Sequence, residues 1–417
     1  MVGLNERVIQ KHVETRKEGL QPKGVTDPRR KKSKYPLAHV WQTAVLTLCI
    51  LMKSMRSATE YTGDRRGRLF CGIRRTAFSD LISRLDPVEA VAVLHRQVHA
   101  EHRRKALRPD GLPIGVIAID GRANWTGDEE VNEYCQRSHK DDADKTPYWQ
   151  YRTVRAVLIS SAARLCIHDH PIPADTNDMG VFPDAYGVVR AEFGGSDLFE
   201  VASCDAGFCS LANATLVHES DKAYIFGLKG NQPELHQEAQ RILLPQAETE
   251  APEACTEWEY EKVGKVQRRL WRTYEMAGWN GWYHLRQVWL VRKVLRRKDG
   301  SEVVVEDRFF VTNLPVNRLT AAEVLEVVRR HWCIENDCYW TLDTQWAEDT
   351  GWWVRKGNGL LVCSVLRMIA YNVVALLKRV HGKSVDWRKR SWQAIANLIK
   401  EYYHLAVMSA AWLPSFV

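Results

Sequence analysis

Two apolar runs that lie far apart in the sequence each end abruptly in an aspartate. Residues 114–119 are almost uninterrupted apolar, as is typical of a strand buried on both faces of a sheet, and Asp120 follows directly. Residues 198–204 form a second strand-like run, which Asp205 ends in the same way. The chain therefore carries two carboxylates at the predicted ends of buried strands, a pattern that favours an α/β fold.

The segments around these runs predict an order of elements. A polar stretch is expected to be a loop, two β-rich runs around a short turn predict a hairpin, and a helix and a further strand flank the second aspartate. In chain order these are the loop 124–147, the hairpin 154–160 and 164–167, the helix 178–193 and the strand 223–228. The predicted order is three strands, helix, strand, strand.

A β-rich stretch and then a well-marked helix follow. From 241 to 317 aromatic and charged residues alternate, and Asp299-Gly300 is a hairpin turn signal. Thr320 and Glu323 have the spacing of a capping box, so a helix is predicted to begin there. The sequence thus predicts a β-rich insertion ahead of a helical segment.

That helix contains a third acid of interest, Glu335. Its apolar positions recur every three or four residues, and this spacing predicts that Glu335 lies on the face that points to the core. A carboxylate on a core face needs a partner. The two candidates are an ion pair with Arg329 or Arg330, and a metal ion beside the sheet.

Composition indicates a globular protein of two or three domains, since 45% of the 417 residues are apolar. The ten cysteines include no CxxC pair, which favours reduced thiols in a cytoplasm over disulfides or structural zinc. The N-terminus lacks the apolar stretch of a signal peptide, and the apolar run from Val40 to Met52 is too short to cross a bilayer. We expect a cytoplasmic protein without a transmembrane segment or a membrane partner.

The chain is moderately basic, with 59 Lys and Arg against 51 Asp and Glu and a net charge of +8. This balance permits a polyanionic partner without demonstrating one. Runs of basic residues are more often solvated surface than specific contacts. The two clusters are Arg29, Arg30, Lys31, Lys32 and Lys34, and Arg388, Lys389 and Arg390.

Two acids at strand ends and a third on a later helix match the needs of two-metal phosphodiester chemistry, in which hard oxygen ligands stand on rigid elements. By residue type alone this indication is weak, because 51 acids allow many such triples. Five ordered motifs strengthen it. They are Asp27-Pro-Arg-Arg30 with Tyr35-Pro36-Leu37; Ala118-Ile-Asp-Gly-Arg122; Cys204-Asp-Ala-Gly207; Gly227-Leu-Lys-Gly-Asn-Gln-Pro233 with Leu235-His236; and Arg330-His-Trp-Cys-Ile-Glu-Asn336, continuing through Tyr339-Trp-Thr-Leu-Asp343, Glu348-Asp349 and Arg355-Lys-Gly-Asn358.

With these motifs most of the chain resembles the DDE transposases of bacterial insertion sequences, in particular the branch that includes the H-repeat-associated proteins. The resemblance implies an RNase H-like catalytic core with a mixed sheet, interrupted by a β-rich insertion. It implies Asp120, Asp205 and Glu335 as catalytic residues and as ligands of two Mg²⁺ ions, with Mn²⁺ as a possible substitute. The implied activity is DNA cleavage at the element's ends followed by strand transfer into target DNA.

The implied partner is double-stranded DNA, both terminal inverted repeats and target, bound by a homodimer in association with the nucleoid. Two alternatives stay open: a domesticated DNA-binding protein without transposition, and an RNase H-like nuclease without strand transfer. The expected organisation is a helical N-terminal DNA-binding region (1–110), a catalytic core in two parts (111–240 and 318–380) around the β-rich insertion (241–317), and a C-terminal helical tail (381–417).

The sequence departs from the family pattern in a few places and offers further candidates. Arg122 stands where Lys is usual, Cys333 where Gly is common, and two adjacent arginines precede the His-Trp pair. Asp178 is interpreted as an N-cap or first-turn acid, His168-Asp169-His170 as a chance grouping, and Glu348 and Asp349 as solvent-facing or paired with Arg355. Trp279, Trp282 and Trp289 are expected to pack in the core rather than to stack on a base. The expected DNA contacts are Lys229, Asn231, Arg329, Arg330, Arg355 and Lys356.

Overall fold

The computed structural model describes residues 4–29, 33–63, 69–141, 145–381 and 387–408. Arg30, Lys31 and Lys32 of the N-terminal basic cluster lie outside these residues, as does the end of the expected C-terminal tail. In the described ranges the chain forms twelve α-helices and eleven strands, with short 3-10 and π-helical turns between them.

The N-terminal part of the chain is helical. The sequence Asp86-Pro-Val-Glu89 predicts a helix start, with an Asp N-cap and Pro at the first helical position. The last of the N-terminal helices begins there: the Asp86 carboxylate accepts hydrogen bonds from the amides of Val88 and Glu89, and Pro87 is the first helical residue. The helices are α1 (Leu4–Thr15), α2 (Leu37–Cys49), α3 (Met55–Gly63), α4 (Arg75–Ile82) and α5 (Pro87–Arg103).

A mixed sheet follows. Its elements are β1 (Val116–Gly127), β2 (Cys135–His139), β3 (Pro147–Leu158), β4 (Cys166–Pro171), α6 (Asp178–Phe193), β5 (Val201–Cys204), α7 (Leu211–His218) and β6 (Ala223–Leu228). β3 pairs antiparallel with β1, β2 and β4. β5 and β6 run parallel to β1, because the helices α6 and α7 form the crossover connections. The predicted hairpin, helix and strand order is confirmed, and with it the mixed α/β fold class with a mixed sheet.

The predicted loop between 124 and 147 is wrong for much of its length. β1 continues to Gly127 and pairs with β3 from Ile117 onward, and β2 adds a third strand along the first half of β3. The polar residues there alternate between the faces of a partly solvated sheet extension, which a search for apolar runs misses. Asp120 therefore lies inside β1, opposite Arg155 of β3, rather than at the end of the strand.

The β-rich stretch is not a separate sheet. β11 pairs antiparallel with β6, so the outer strands continue the central sheet in the order β2-β3-β1-β5-β6-β11-β10-β9-β7. The predicted hairpin at Asp299-Gly300 is confirmed, and Gly300 adopts the left-handed conformation its turn requires (φ 86°). The elements are α8 (Pro233–Thr249), β7 (Ala254–Cys255), β8 (Glu259–Glu261), β9 (Gly264–Thr273), β10 (Gln287–Arg296) and β11 (Glu302–Thr312).

Helices complete the described chain. The predicted capping box is present, because the Thr320 hydroxyl accepts from the Glu323 amide while the Glu323 carboxylate accepts from the Thr320 amide. The next helix-like turn, Ile334–Tyr339, is π-helical. The α-helices are α9 (Ala321–His331), α10 (Trp340–Trp346), α11 (Gly359–Leu376) and α12 (Trp392–Met408).

One helical stretch, Gly359–Val380, is long and apolar enough to span a membrane, with a mean hydropathy of 2.1. The sequence analysis did not single it out. Its apolar window is entirely buried, since α11 packs against α2, α5 and β4. This burial is what a core helix of a folded domain requires, and the same length and composition are weak grounds for a membrane span.

Candidate active site

Asp120 projects from β1 beside the end of β5. The two strands are parallel neighbours with Ile119 opposite Cys204, so Asp205, which follows Cys204, comes next to Asp120 at the same edge of the sheet. Burial, together with the carboxylates of Asp205 and Glu335, raises the pKa of Asp120 to about 8. The three acids singled out in the sequence thus act electrostatically on one another.

Asp205 is held by its own loop. Its carboxylate accepts a hydrogen bond of 3.0 Å from the Gly207 amide, at the start of a short 3-10 turn. Burial raises the pKa of Asp205, while the Gly207 amide and the nearby Lys229 ammonium oppose the rise. Lys229, which is exposed, therefore lies close to this carboxylate, as expected of a residue that would meet a phosphate there.

The loop after β6 braces the loop after β5. The side-chain amide of Asn231 donates to the carbonyl oxygens of Ala206 (2.7 Å) and Cys209 (3.1 Å), and that of Gln232 also donates to Cys209. The donor group of Asn231 is therefore used within the protein, where it fixes the backbone that carries Asp205.

Glu335 lies in the π-helical turn and is exposed, so the prediction that it lies on the core face is wrong. A π-helical turn accommodates one more residue than an α-helical one, which rotates the following side chains around the axis. Ile334, Cys338 and Tyr339 consequently take the buried positions. Partial desolvation raises the pKa of Glu335; Arg308 opposes this effect and Asp205 adds to it.

Of the two candidate partners for Glu335, the structure does not give the ion pair with Arg329 or Arg330. Both arginines pair with Glu326, one turn earlier on α9. Arg329 additionally contacts Glu259 of β8, and Arg330 donates to the carbonyl oxygen of Ser160 (3.2 Å). Arg329 is half-exposed, whereas Arg330 is largely buried. Arg355 and Lys356 are exposed, in the loop before α11.

A groove of about 720 Å³ opens beside Glu335, between α9 and the outer strands. The Arg308 guanidinium lies 4.0 Å from the centre of the Trp332 ring, in a cation–π contact at the edge of this groove. Arg308 was not among the candidates from the sequence, where its only signal was a basic residue on a predicted β-strand. It also pairs with Glu306 at 2.6 Å. The other charged side chains that line the groove are both basic and acidic: Lys262, Arg268, Lys293, Arg329, Glu261 and Glu306.

Directly behind the acids lies a buried ionic network. Arg155 makes two hydrogen bonds of 3.0 Å to Glu348 and two, of 3.1 and 3.4 Å, to Asp169; Arg155 and Glu348 are fully buried. Although burial would raise the pKa of Glu348, Arg155 and Arg122 outweigh it and lower the value to about 2. The prediction that Glu348 faces solvent or pairs with Arg355 is wrong; Asp349 is exposed, as expected.

Arg122 and Tyr339 connect this network to the acids. Arg122 pairs with Asp343 at 2.7 Å and lies 3.5 Å from Glu348, and its guanidinium stands 4.5 Å from the centre of the Tyr339 ring. The Tyr339 hydroxyl donates a 3.0 Å hydrogen bond to the backbone carbonyl of Asp120. Burial raises the pKa of Tyr339 well above its ordinary value, so the hydroxyl stays a proton donor.

Asp178 is the first residue of α6, and Asn177 is its N-cap, so the first-turn interpretation is confirmed. Its carboxylate pairs with Arg152 at 2.6 Å. The same carboxylate packs against Gly121 so closely that a Cβ atom at position 121 would lie 2.6 Å from it. Asp178 also raises the pKa values of Asp120 and Asp205. It is therefore a neighbour of the acids that already has a cationic partner.

The remaining candidates are structural. His168 hydrogen-bonds His95 at 3.2 Å. In the described part of the chain no group of three His, Cys, Asp or Glu side chains is packed closely enough to hold a metal ion as it stands, which applies to the His168–His170 grouping and to the three acids alike. Trp282 and Trp289 are buried, which confirms core packing, and Trp279 is partly buried against the core.

Comparisons with known proteins show the family of the chain. The family described as Transposase DDE domain matches residues 113–373, more than half of the chain. Three Escherichia coli proteins are similar: YbfL of strain K12 (27% identical over 185 residues), YncI of O157:H7, provisionally named a transposase (22% over 277), and the H repeat-associated YhhI of K12, also so named (26% over 185).

These matches are partial. The aligned segments cover 42%, 62% and 42% of this chain, and 47%, 69% and 47% of the three relatives, so the chain spans about half the length of two of them. A solved piggyBac transposase synaptic complex with hairpin DNA aligns over 99% of this chain and 82% of its own, at 10% identity and a TM-score of 0.42. On the family match, the chain belongs to the DDE transposases of the insertion-sequence type, which carry the Transposase DDE domain.

Proposed function

We propose that the protein is a DNA transposase that cleaves the ends of an insertion sequence and joins them to target DNA, with Asp120, Asp205 and Glu335 as its catalytic acids. The observation that carries this proposal is the placement of the three acids: Asp120 and Asp205 each follow one member of the paired residues Ile119 and Cys204, and Tyr339, in the π-helical turn that carries Glu335, donates to the Asp120 carbonyl. Each has a raised pKa, and Asp205 contributes to the rise at both of the others. Carboxylates that converge in this way bind a divalent cation in preference to a proton once one is supplied.

The donor set suits magnesium. All three side chains offer hard carboxylate oxygens, which Mg²⁺ and Mn²⁺ prefer. Two of them stand on neighbouring strands, and the third is on an exposed turn where Arg308 and Asp205 act on it across space rather than through a hydrogen bond. The Glu335 side chain is therefore free to rotate towards the other two and bring three ligands together.

Two bound ions would activate the attacking oxygen and stabilise the leaving one. The three carboxylates would hold those ions, and Lys229 beside Asp205 and Arg308 beside Glu335 would neutralise phosphates on either side. Water is the first attacking group and the released 3′-hydroxyl the second, so one site serves both cleavage and strand transfer. Two copies of the chain would pair the two ends.

The proposed DNA contacts follow the exposure of the basic residues. Lys229, Arg329, Arg355 and Lys356 have accessible charges, and we propose them as phosphate contacts together with the groove beside Glu335. Arg330 and Asn231 are engaged inside the protein, and we propose that they support the site from behind. The helical region 1–110 and the outer strands would extend the DNA-binding surface around the core.

The test is to incubate the full chain and Mg²⁺ with DNA that carries candidate terminal inverted repeats. Wild-type protein should give joined products, and Asp205→Asn and Glu335→Gln should each lose at least about a thousandfold of the cleavage rate, since a metal ion contributes several kcal/mol to the transition state. Asp197→Asn, an exposed acid near the opposite end of β5, is the matched control and should cleave normally.

The same assay separates the alternatives. Nicked DNA without joined products would indicate a nuclease that lacks strand transfer, and bound but uncut DNA a domesticated DNA-binding protein. Unchanged cleavage by Asp205→Asn and Glu335→Gln would overturn the assignment of the acids.

A further inference from the structure

We propose that Tyr339 is a positioning residue that sets the spacing between Asp120 and Glu335, and through this spacing the affinity of the site for its metal ions. The inference rests on the proposed function, because it assumes that the two acids share a metal site. Tyr339 is the last residue of the π-helical segment that also contains Glu335. Its hydroxyl donates to the backbone carbonyl of Asp120 at 3.0 Å.

This hydrogen bond joins two elements that the chain brings together from far apart. Asp120 belongs to β1 and Tyr339 follows it by 219 residues. The carboxylate of Glu335 is exposed, so it is not fixed by packing. A direct bond between the backbone of one acid and the turn that carries the other therefore limits how far the two can separate.

The tyrosine ring is itself held in place. The Arg122 guanidinium lies 4.5 Å and the Arg155 guanidinium 5.6 Å from its centre, so the electron-rich ring stands beside two cations. Both arginines are fixed by the fully buried Glu348. The buried ionic network therefore holds the tyrosine ring so that its hydroxyl points towards the backbone carbonyl of Asp120.

The hydroxyl can be removed without altering the ring. Tyr339→Phe keeps the packing and the cation–π contacts and deletes the single hydrogen bond to Asp120. Tyr371→Phe is the control: Tyr371 is also buried, and its hydroxyl also donates to a backbone carbonyl, that of Arg164, at 3.3 Å, while it accepts from Arg379 at 3.4 Å. Tyr371→Phe therefore loses at least as much hydrogen bonding as Tyr339→Phe, and its thermal stability should fall by at least as much.

The readout is the affinity of the full chain for Mn²⁺ in the absence of DNA, measured by calorimetry or by electron paramagnetic resonance. A net hydrogen bond contributes about 1 kcal/mol, so Tyr339→Phe should bind Mn²⁺ roughly fivefold more weakly, and Tyr371→Phe should bind as the wild type does. In cleavage assays Tyr339→Phe should need more Mg²⁺ for half-maximal rate, while its rate at saturating Mg²⁺ stays near the wild-type value.

The outcomes distinguish the two proposals. If Tyr339→Phe binds Mn²⁺ as tightly as Tyr371→Phe does, the hydroxyl is only a structural contact and the inference is overturned while the proposed function stands. If the Asp120→Asn variant binds Mn²⁺ as tightly as the wild-type chain does, the three acids are not the metal site, and the proposed function fails together with the inference.

Discussion

The three acids and the ionic network behind them are built from the same kinds of side chain but differ in how their charges are balanced. In the network each of the buried carboxylates faces a guanidinium, and the pKa of Glu348 falls to about 2. At the site, carboxylates face one another, and the pKa of Asp120 rises to about 8. The two regions are adjacent, since Asp120 lies opposite Arg155 across β1 and β3.

This difference separates the acids that stabilise the fold from the acids that we propose for catalysis. A balanced buried cluster needs nothing more to be stable in the folded protein, although removing one member leaves the other uncompensated. An unbalanced cluster reduces stability unless a ligand supplies the missing charge. The pKa values of Glu348 and Asp120 shift in opposite directions because Glu348 has buried cationic partners, whereas the carboxylates nearest Asp120 carry the same charge.

The largest expected effect is on the balanced side. Glu348→Gln should lower the free energy of unfolding by about 3–5 kcal/mol, because Arg155 and Arg122 keep their buried charge and lose their shared partner. Urea unfolding monitored by tryptophan fluorescence measures it. The exposed neighbour provides the control, since Asp349→Asn should change stability by less than about 0.5 kcal/mol. A small loss for Glu348→Gln would mean that the network does not stabilise the fold.

Low pH should reduce the stability that Glu348 contributes to the fold. A carboxylate with a lowered pKa stabilises the fold above its ordinary value, 4.5 for Glu348, and loses this contribution as the pH falls towards 2. The stability difference between wild type and Glu348→Gln should therefore shrink to less than about half between pH 7 and pH 3. The measurement is urea unfolding of both proteins at the two pH values. A constant difference would show that the ion pairs are not its source.

On the unbalanced side a substitution should stabilise the protein. Asp120→Asn removes a carboxyl group whose pKa burial and its acidic neighbours raise to about 8, so at pH 7 without metal it should raise the free energy of unfolding by at least roughly 1 kcal/mol, about one pKa unit's worth. Unfolding in the presence of EDTA measures this gain. Mn²⁺ should then stabilise the wild type but not the variant. If Asp120→Asn destabilised the metal-free protein, the picture of mutual repulsion would be incorrect.

The smallest expected effect concerns the cation beside Glu335. Arg308→Ala should weaken DNA binding several-fold and reduce the salt dependence of binding by about one phosphate contact. Fluorescence anisotropy at several salt concentrations measures both. Arg318→Ala is the matched control, because Arg318 pairs with Glu200 at the opposite end of β5. Equal losses in the two variants would place Arg308 outside the DNA path.

The sequence predicted those parts of the fold that local patterns determine. The caps at Asp86 and Thr320, the turn at Gly300 and the apolar strands each depend on neighbouring residues, and all were confirmed. The sequence also predicted the family, because its motifs are local too. Whether the three acids are the metal site stays a prediction.

The errors share a physical cause, since they depend on contacts between distant segments. Glu348 meets Arg155 across 193 residues, and no spacing rule places a charged pair of that kind in the core. The π-helical turn moves Glu335 to the surface although the 3.6-residue period places it inside. The extension of β1 and the pairing of β11 with β6 likewise follow from partner strands rather than from apolar runs.

The burial of α11 has a consequence for the order in which the protein can be made. The main segments that cover this helix, α2, α5 and β4, precede it in the chain, and its Tyr371 also stacks on Trp392 of the later α12. When the apolar helix leaves the ribosome, most of its docking surface has therefore already been synthesised. A chain truncated before Gly359 would instead leave that docking surface uncovered, so such fragments are expected to aggregate while the full-length product folds.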